Sequence, residues 1–106
     1  MATIAKDLPV ITLVNVFTVK PENQQQLARL LVEATEQTMK HLPGFVSANI
    51  HKSLDGTKVI NYAQWRRLED FEAMQHNPSV APHMKAATAI SKPDPVLCQV
   101  VDSIGG

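Results

Sequence analysis

Val59-Ile60-Asn61-Tyr62-Ala63-Gln64-Trp65 lies near the middle of a 106-residue chain. Its side chains alternate in the way a pleated strand does, with successive residues on opposite faces. On that reading Val59, Asn61, Ala63 and Trp65 share one face, while Ile60, Tyr62 and Gln64 share the other. A primary amide and the only tryptophan then stand together, with the small Ala63 between them. The amide donates and accepts hydrogen bonds, and the indole adds a flat apolar wall with one N–H. Together they could line a cleft for a flat, oxygen-bearing ligand. A core tryptophan beside a structural asparagine is the plainer reading of the same spacing.

Upstream, residues 10–19 form a strand rich in β-branched side chains, and both of its faces are largely apolar. Such a strand is covered on both sides. Its parity groups Ile11, Leu13, Asn15 and Phe17, so Asn15 is a polar group in an apolar row. A buried amide without a partner costs about 1–3 kcal/mol. Asn15 therefore needs a partner or a purpose.

Between these strands, Asn23 and Gln26 have capping-box spacing. Leu27, Leu30, Leu31, Ala34 and Thr38 follow at helical intervals, predicting a helix over about 23–41 that Pro43-Gly44 ends. Residues 45–53 read as a second strand, and Asp55-Gly56 as the positive-φ pair of a tight hairpin leading into the third. Glu69, Asp70 and Glu72 crowd the first turn of a short helix that points Leu68, Phe71 and Met74 or Gln75 inward. Asn77-Pro78 breaks it, and Ser79 caps a further helical piece carrying Val80, His83, Met84, Ala87 and Ile90. Lys92-Pro93-Asp94-Pro95 reads as a turn before a last strand over 96–101. Residues 1–9 are expected to be a loose arm and 10–106 one domain.

The element order β-α-β-β-α-β predicts an α+β, ferredoxin-like fold with a four-stranded antiparallel sheet. There the first and third strands are central neighbours, which brings Asn15 towards Asn61 and Trp65. Helices on one side leave the opposite face of the sheet bare. Its apolar row (Val10, Val14, Val16) predicts pairing with a second copy.

Ten basic and ten acidic residues give a formal net charge of zero, so the electrostatic footprint of a nucleic-acid binder is missing. The lone Cys98 permits no internal disulfide and reads as a buried strand thiol. No apolar run is long enough to span a membrane, and no signal-peptide pattern opens the chain, which predicts a cytoplasmic protein. Four glycines form neither GxGxxG nor a P-loop, and no Cys/His cluster has zinc spacing. Of the four histidines, His41 suits a helix C-terminus, His51 lies in the second strand, and His76 falls in a loop. His83, on a helix over the sheet, is the best placed to line a cavity.

Leu13-Val14-Asn15-Val16-Phe17-Thr18-Val19, Pro43-Gly44-Phe45, Asn61-Tyr62-Ala63-Gln64-Trp65 and Pro82-His83, in that order, resemble the antibiotic biosynthesis monooxygenase family. The likeness runs from about residue 10 to 101 and is greatest to the cofactor-free anthrone oxygenases of aromatic polyketide pathways. It implies a dimeric α+β barrel that oxidises a polycyclic anthrone or phenol to a quinone with O₂, using neither metal nor cofactor. It assigns catalysis to Asn15, Asn61 and Trp65, with His83, Phe71, Met74 and Leu31 against the substrate. Another branch uses a tyrosine where Phe71 stands, so a mechanism through that phenol is not implied. The partners implied are a small aromatic substrate, O₂ and a second copy of the chain, with no nucleic acid and no membrane. A haem-degrading enzyme of the same fold is an alternative, and Met74 stands where those enzymes carry a tryptophan. A non-catalytic dimeric binding protein is another.

Overall fold

β1 (Ile11–Val19) and β3 (Lys58–Trp65) occupy the centre of a four-stranded antiparallel sheet, flanked by β2 (Phe45–Lys52) and β4 (Ser91–Cys98). The computed structural model describes residues 2–106; Met1, the first residue of the predicted arm, lies outside them. Three helices, α1 (Gln24–Gln37), α2 (Leu68–Gln75) and α3 (Ala81–Thr88), complete the ferredoxin-like α+β order. The strand order β2-β3-β1-β4 makes β1 and β3 neighbours, as the sequence predicts. Their register sets Leu13 opposite Ala63, Asn15 opposite Asn61 and Phe17 opposite Val59.

The helices cover the face that carries Leu13, Phe17, Val59 and Trp65. Leu27, Leu31 and Ala34 of α1, Phe71 of α2 and Ala87 of α3 are buried against it. The packing divides into two clusters. Phe17, Val19, Leu27, Leu31, Val59 and Ala87 form one, and Leu13, Ala63, Trp65 and Phe71 the other. On β1 and β3 the residues between the two clusters are Asn15 and Asn61.

Several local expectations are corrected. A 3-10 turn (Pro21–Asn23) precedes α1, and Asn23 makes no side-chain cap. Gln24 instead donates from Nε2 to the Ser53 and Lys58 carbonyls (2.9 and 3.0 Å), tying the start of α1 to the β2–β3 loop. α1 ends at Gln37, and Met39–His41 is a second 3-10 turn. In the β2–β3 loop only Gly56 takes positive φ, at +83°. Asp55 braces the loop by accepting from the Ser53 hydroxyl and from the N–H and hydroxyl of Thr57. The Thr57 N–H, followed by the two hydroxyls, lowers the Asp55 carboxyl to about 2. Leu68 is 40% exposed rather than inward. Ser79 caps no helix; it donates to the Asn77 side chain, which closes the turn before α3.

The last strand begins five residues earlier than predicted, because Lys92-Pro93-Asp94-Pro95 is strand rather than turn. Pro93 faces Phe17 and Pro95 faces Asn15 across the ladder. Both prolines share one parity of an edge strand, where a missing N–H can face away from the sheet. Cys98 ends this strand and is half-buried rather than enclosed. The arm is also less loose than expected, since the Thr3 carbonyl accepts a 2.7 Å hydrogen bond from Gln64 Nε2. No helix among the described residues is long and apolar enough to cross a membrane.

Gly44 links the C-terminal end of the α1 segment to β2 and takes φ +82°. A Cβ placed there would collide with the Asp70 side chain, which is itself paired with Arg67. The Gly44 carbonyl also accepts from the Arg66 N–H at 2.8 Å. Gly44→Ala is therefore expected to cost at least about 2 kcal/mol, from the left-handed backbone and the displaced carboxylate. Urea unfolding of the two proteins checks it; equal midpoints would contradict the account.

Candidate functional site

A cavity of about 300 Å³ lies between the sheet and the helices. Regular alternation sets most of its floor. Leu13, Asn15 and Phe17 reach it from β1, and Asn61, Ala63 and Trp65 from β3. Phe45 and Ala48 enter from β2, and Pro93 and Pro95 from β4. Leu31, Ala34 and Thr35 of α1, Phe71, Met74 and Gln75 of α2, and His83 and Met84 of α3 form the roof, with Met39 beside them. The hollow exists because three of the facing side chains are methyls: Ala34, Ala48 and Ala63.

Every residue singled out in the sequence for the site lines this cavity: Asn15, Asn61, Trp65, His83, Phe71, Met74 and Leu31. Leu27 and Ala87, on the same helices, do not line it and belong to the core cluster around Phe17. Sequence reasoning missed Phe45, Ala48, Pro93 and Pro95. The first two escaped because a bulge shifts the β2 register between Phe45 and Ser47, and the prolines because they read as a turn.

Asn15 is 8% exposed, and its amide oxygen is enclosed with no hydrogen-bond partner. The amide oxygen of Asn61, directly opposite, is unpartnered too. Cross-strand neighbours stand about 4.5–5.5 Å apart at Cβ. Two uncommitted amides at that spacing can address neighbouring oxygens on one edge of a planar molecule. Trp65 is buried and stands nearly perpendicular to the Phe45 ring, with centroids 5.6 Å apart. These two rings give the cavity a rigid aromatic end.

The lining holds no carboxylate, lysine or arginine, and His83 is its one titratable side chain. His83 Nε2 is hydrogen-bonded to Thr38 Oγ1 at 3.0 Å. This contact orients the ring from the end of α1 and leaves Nδ1 uncommitted to Thr38. The other histidines stay apart: His41, His51 and His76 are exposed. No group of three or more His, Cys, Asp and Glu is gathered to hold a metal ion among the described residues. The lining thus offers apolar and aromatic surface together with neutral amide dipoles.

Residues 10–89 match the family model described as antibiotic biosynthesis monooxygenase. The chain belongs to this family. Tetracenomycin-F1 monooxygenase of Streptomyces glaucescens is 49% identical over 105 residues, covering 99% of this chain and 94% of that protein. The monooxygenase ActVA-Orf6 of Streptomyces coelicolor, solved with nanaomycin D, is 28% identical with a TM-score of 0.82 over 91% of each chain. SnoaB, a cofactor-independent oxygenase from Streptomyces nogalater, shares the fold at 24% identity. Its TM-score is 0.73, over 93% of this chain and all of that one. This family member is an enzyme, a monooxygenase.

The unpartnered amide of Asn15 makes a stability prediction. Asn15→Leu, similarly branched and with the adjoining cavity to take its extra volume, replaces an orphaned polar group with an apolar one between two apolar clusters. It is expected to stabilise by about 1 kcal/mol and to raise Tm by about 4–8 °C. Thermal unfolding by circular dichroism checks it; a lower Tm would mean that the amide is satisfied by the protein.

Proposed function

We propose that the cavity binds a polycyclic aromatic anthrone or phenol and that the enzyme oxidises it to a quinone with O₂, without a cofactor. The observation that carries this reading is the pair of facing, unpartnered amides in a cavity without charged side chains. Its likeness to tetracenomycin-F1 monooxygenase supports the class of reaction, and the similar ActVA-Orf6 monooxygenase was solved with nanaomycin D bound.

In this mechanism the substrate is itself the reductant. It gives a proton to His83, within the cavity, and becomes an electron-rich enolate or phenolate. The N–H groups of Asn15 and Asn61 turn towards the developing oxyanion and stabilise it in a water-poor space. Neutral amides suit this chemistry, because a cation would hold the electron more tightly, whereas a dipole stabilises the anion and still lets it be oxidised. One electron passes to O₂, giving a substrate radical and superoxide. The two combine at the ring carbon to form a peroxide, which takes a proton. Cleavage of its O–O bond, with loss of the remaining hydrogen on that carbon, releases water and leaves the quinone carbonyl. One oxygen atom of O₂ thus enters the product and the other leaves as water. Trp65 and Phe45 hold the ring system flat, while Phe71, Met74 and Leu31 close over it.

We also propose that the sheet face away from the helices is covered by a second copy of the chain. Val14, Val16, Ile60 and Tyr62 are only half-buried there, and Val96 is exposed. A twofold pairing of these faces would exclude water from that apolar row. Light scattering in line with size-exclusion chromatography is expected to give twice the chain mass.

The decisive experiment uses metal-stripped protein with anthrone and 1,8-dihydroxyanthrone, in air and under argon. Quinone is expected only in air, with one ¹⁸O atom per product from ¹⁸O₂. Asn61→Ala is expected to lower kcat roughly a hundredfold, the scale of losing one positioned donor. Product formation indifferent to oxygen, or unchanged in Asn61→Ala, would overturn the assignment.

A further inference from the structure

We propose that Gln64, although it faces away from the cavity, is a positioning residue for the cavity's aromatic wall, acting through the bulge in β2. Between Phe45 and Ser47 the β2 register slips against Trp65 and Gln64, so that Val46 is the extra residue. A bulge of this kind re-aims the side chains on either side of it. Without it, Phe45 would share a face with Ser47 and point away from the helices. With it, Phe45 turns into the cavity against Trp65, and Ser47 turns outward opposite Gln64.

Three groups on the outer face secure that arrangement. The Ser47 hydroxyl donates to Gln64 Oε1 at 2.7 Å, within a buried contact. Gln64 Nε2 donates to the Thr3 carbonyl at 2.7 Å. Gln64 is 1% exposed on a sheet face whose other residues are mostly half-buried or open. Both ends of its amide are thus committed, in contrast to Asn15 and Asn61. Register is set by the hydrophobic pattern, and here Phe45 and Val46 are both apolar, so the pattern alone does not decide which of them faces the helices. The relay Thr3–Gln64–Ser47 selects the register that faces Phe45 at Trp65. It also makes the N-terminal arm a part of the site's support, sixty-one residues distant from Gln64 in sequence.

Trp65 is the only tryptophan, so its near-ultraviolet circular dichroism and its quenching by acrylamide report on this wall directly, with no turnover required. The proposal therefore stands or falls apart from the oxygenase reading. In the 106-residue chain, Gln64→Met and Ser47→Ala are expected to weaken the Trp65 dichroism band and increase its quenching. Ser47→Thr, which keeps the hydroxyl, is expected to restore both. Gln64→Glu keeps an acceptor for Ser47 but repels the Thr3 carbonyl, and is expected to give an intermediate signal. Binding of 1,8-dihydroxyanthrone under argon is expected to weaken roughly fivefold in Gln64→Met, the scale of one lost hydrogen bond. Asn49→Ala is the control: it removes the 3.0 Å bond from Asn49 Nδ2 to the Tyr62 carbonyl, and Asn49 shares the outer face of β2 with Ser47. It is expected to leave Trp65 unchanged. If Gln64→Met fails to fold by far-ultraviolet dichroism, the Ser47→Ala and Ser47→Thr pair decides. A parent-like Trp65 signal in folded Ser47→Ala, or an equal change in Asn49→Ala, would overturn the proposal.

Discussion

The middle of this sheet is interrupted by two carboxamides that face one another across the central strand pair. Everything else in the fold is arranged around that interruption. Leu13 and Phe17 flank Asn15, and Val59 and Ala63 flank Asn61, so each amide separates one apolar cluster from the other. An orphaned amide oxygen in such a place opposes folding, and two of them oppose it more. The chain tolerates the pair because the clusters on either side supply apolar burial that exceeds the penalty. A charged pair would cost several times as much to desolvate and would be driven to neutralise itself. Neutral dipoles are thus the strongest polar groups that this position can hold without a counter-ion.

The hollow above the amides comes from subtraction. Ala48 and Ala63 are paired across β2 and β3, and Ala34 approaches from α1. Larger residues at these positions would join the two clusters into one continuous core. Pro93 and Pro95 then close the edge of the floor with side chains that have no rotamers to lose. They also leave β4 with fewer N–H groups to offer an outside strand, which guards an exposed edge.

Parity is enough to read β1 and β3, since both are regular ladders in which period two holds from end to end. That is why Asn15, Asn61 and Trp65 are legible as a group, and why the order of elements implies their adjacency. Phe71, Met74, Leu31 and His83 follow from helical spacing and from the resemblance together. The local rules fail where a neighbour overrides them. Asn23 loses its capping role because Pro21 sets a 3-10 turn first, and Asn77 rather than Ser79 closes the turn before α3. Two prolines in four residues spell a turn in most contexts, yet an edge position removes their penalty. Phe45 cannot be placed by parity, because a bulge is a tertiary decision made by Ser47, Gln64 and Thr3 together.

These failures share a cause with the site's construction. A ferredoxin-like sheet with unbroken alternation would offer its helices a uniform apolar floor, and its function would then depend on loops. Here the floor departs from uniformity at three places: the facing amides, the alanine pair, and the bulge that swings Phe45 round. The first two leave marks in the sequence, an asparagine or an alanine where a strand prefers a branched side chain. The third leaves no local mark, because Val46 is as ordinary a strand residue as its neighbours. An aromatic wall built on a bulge depends on contacts from the far side of the sheet. Substitutions on that outer face, remote from any bound molecule, therefore have a physical route to the shape of the cavity.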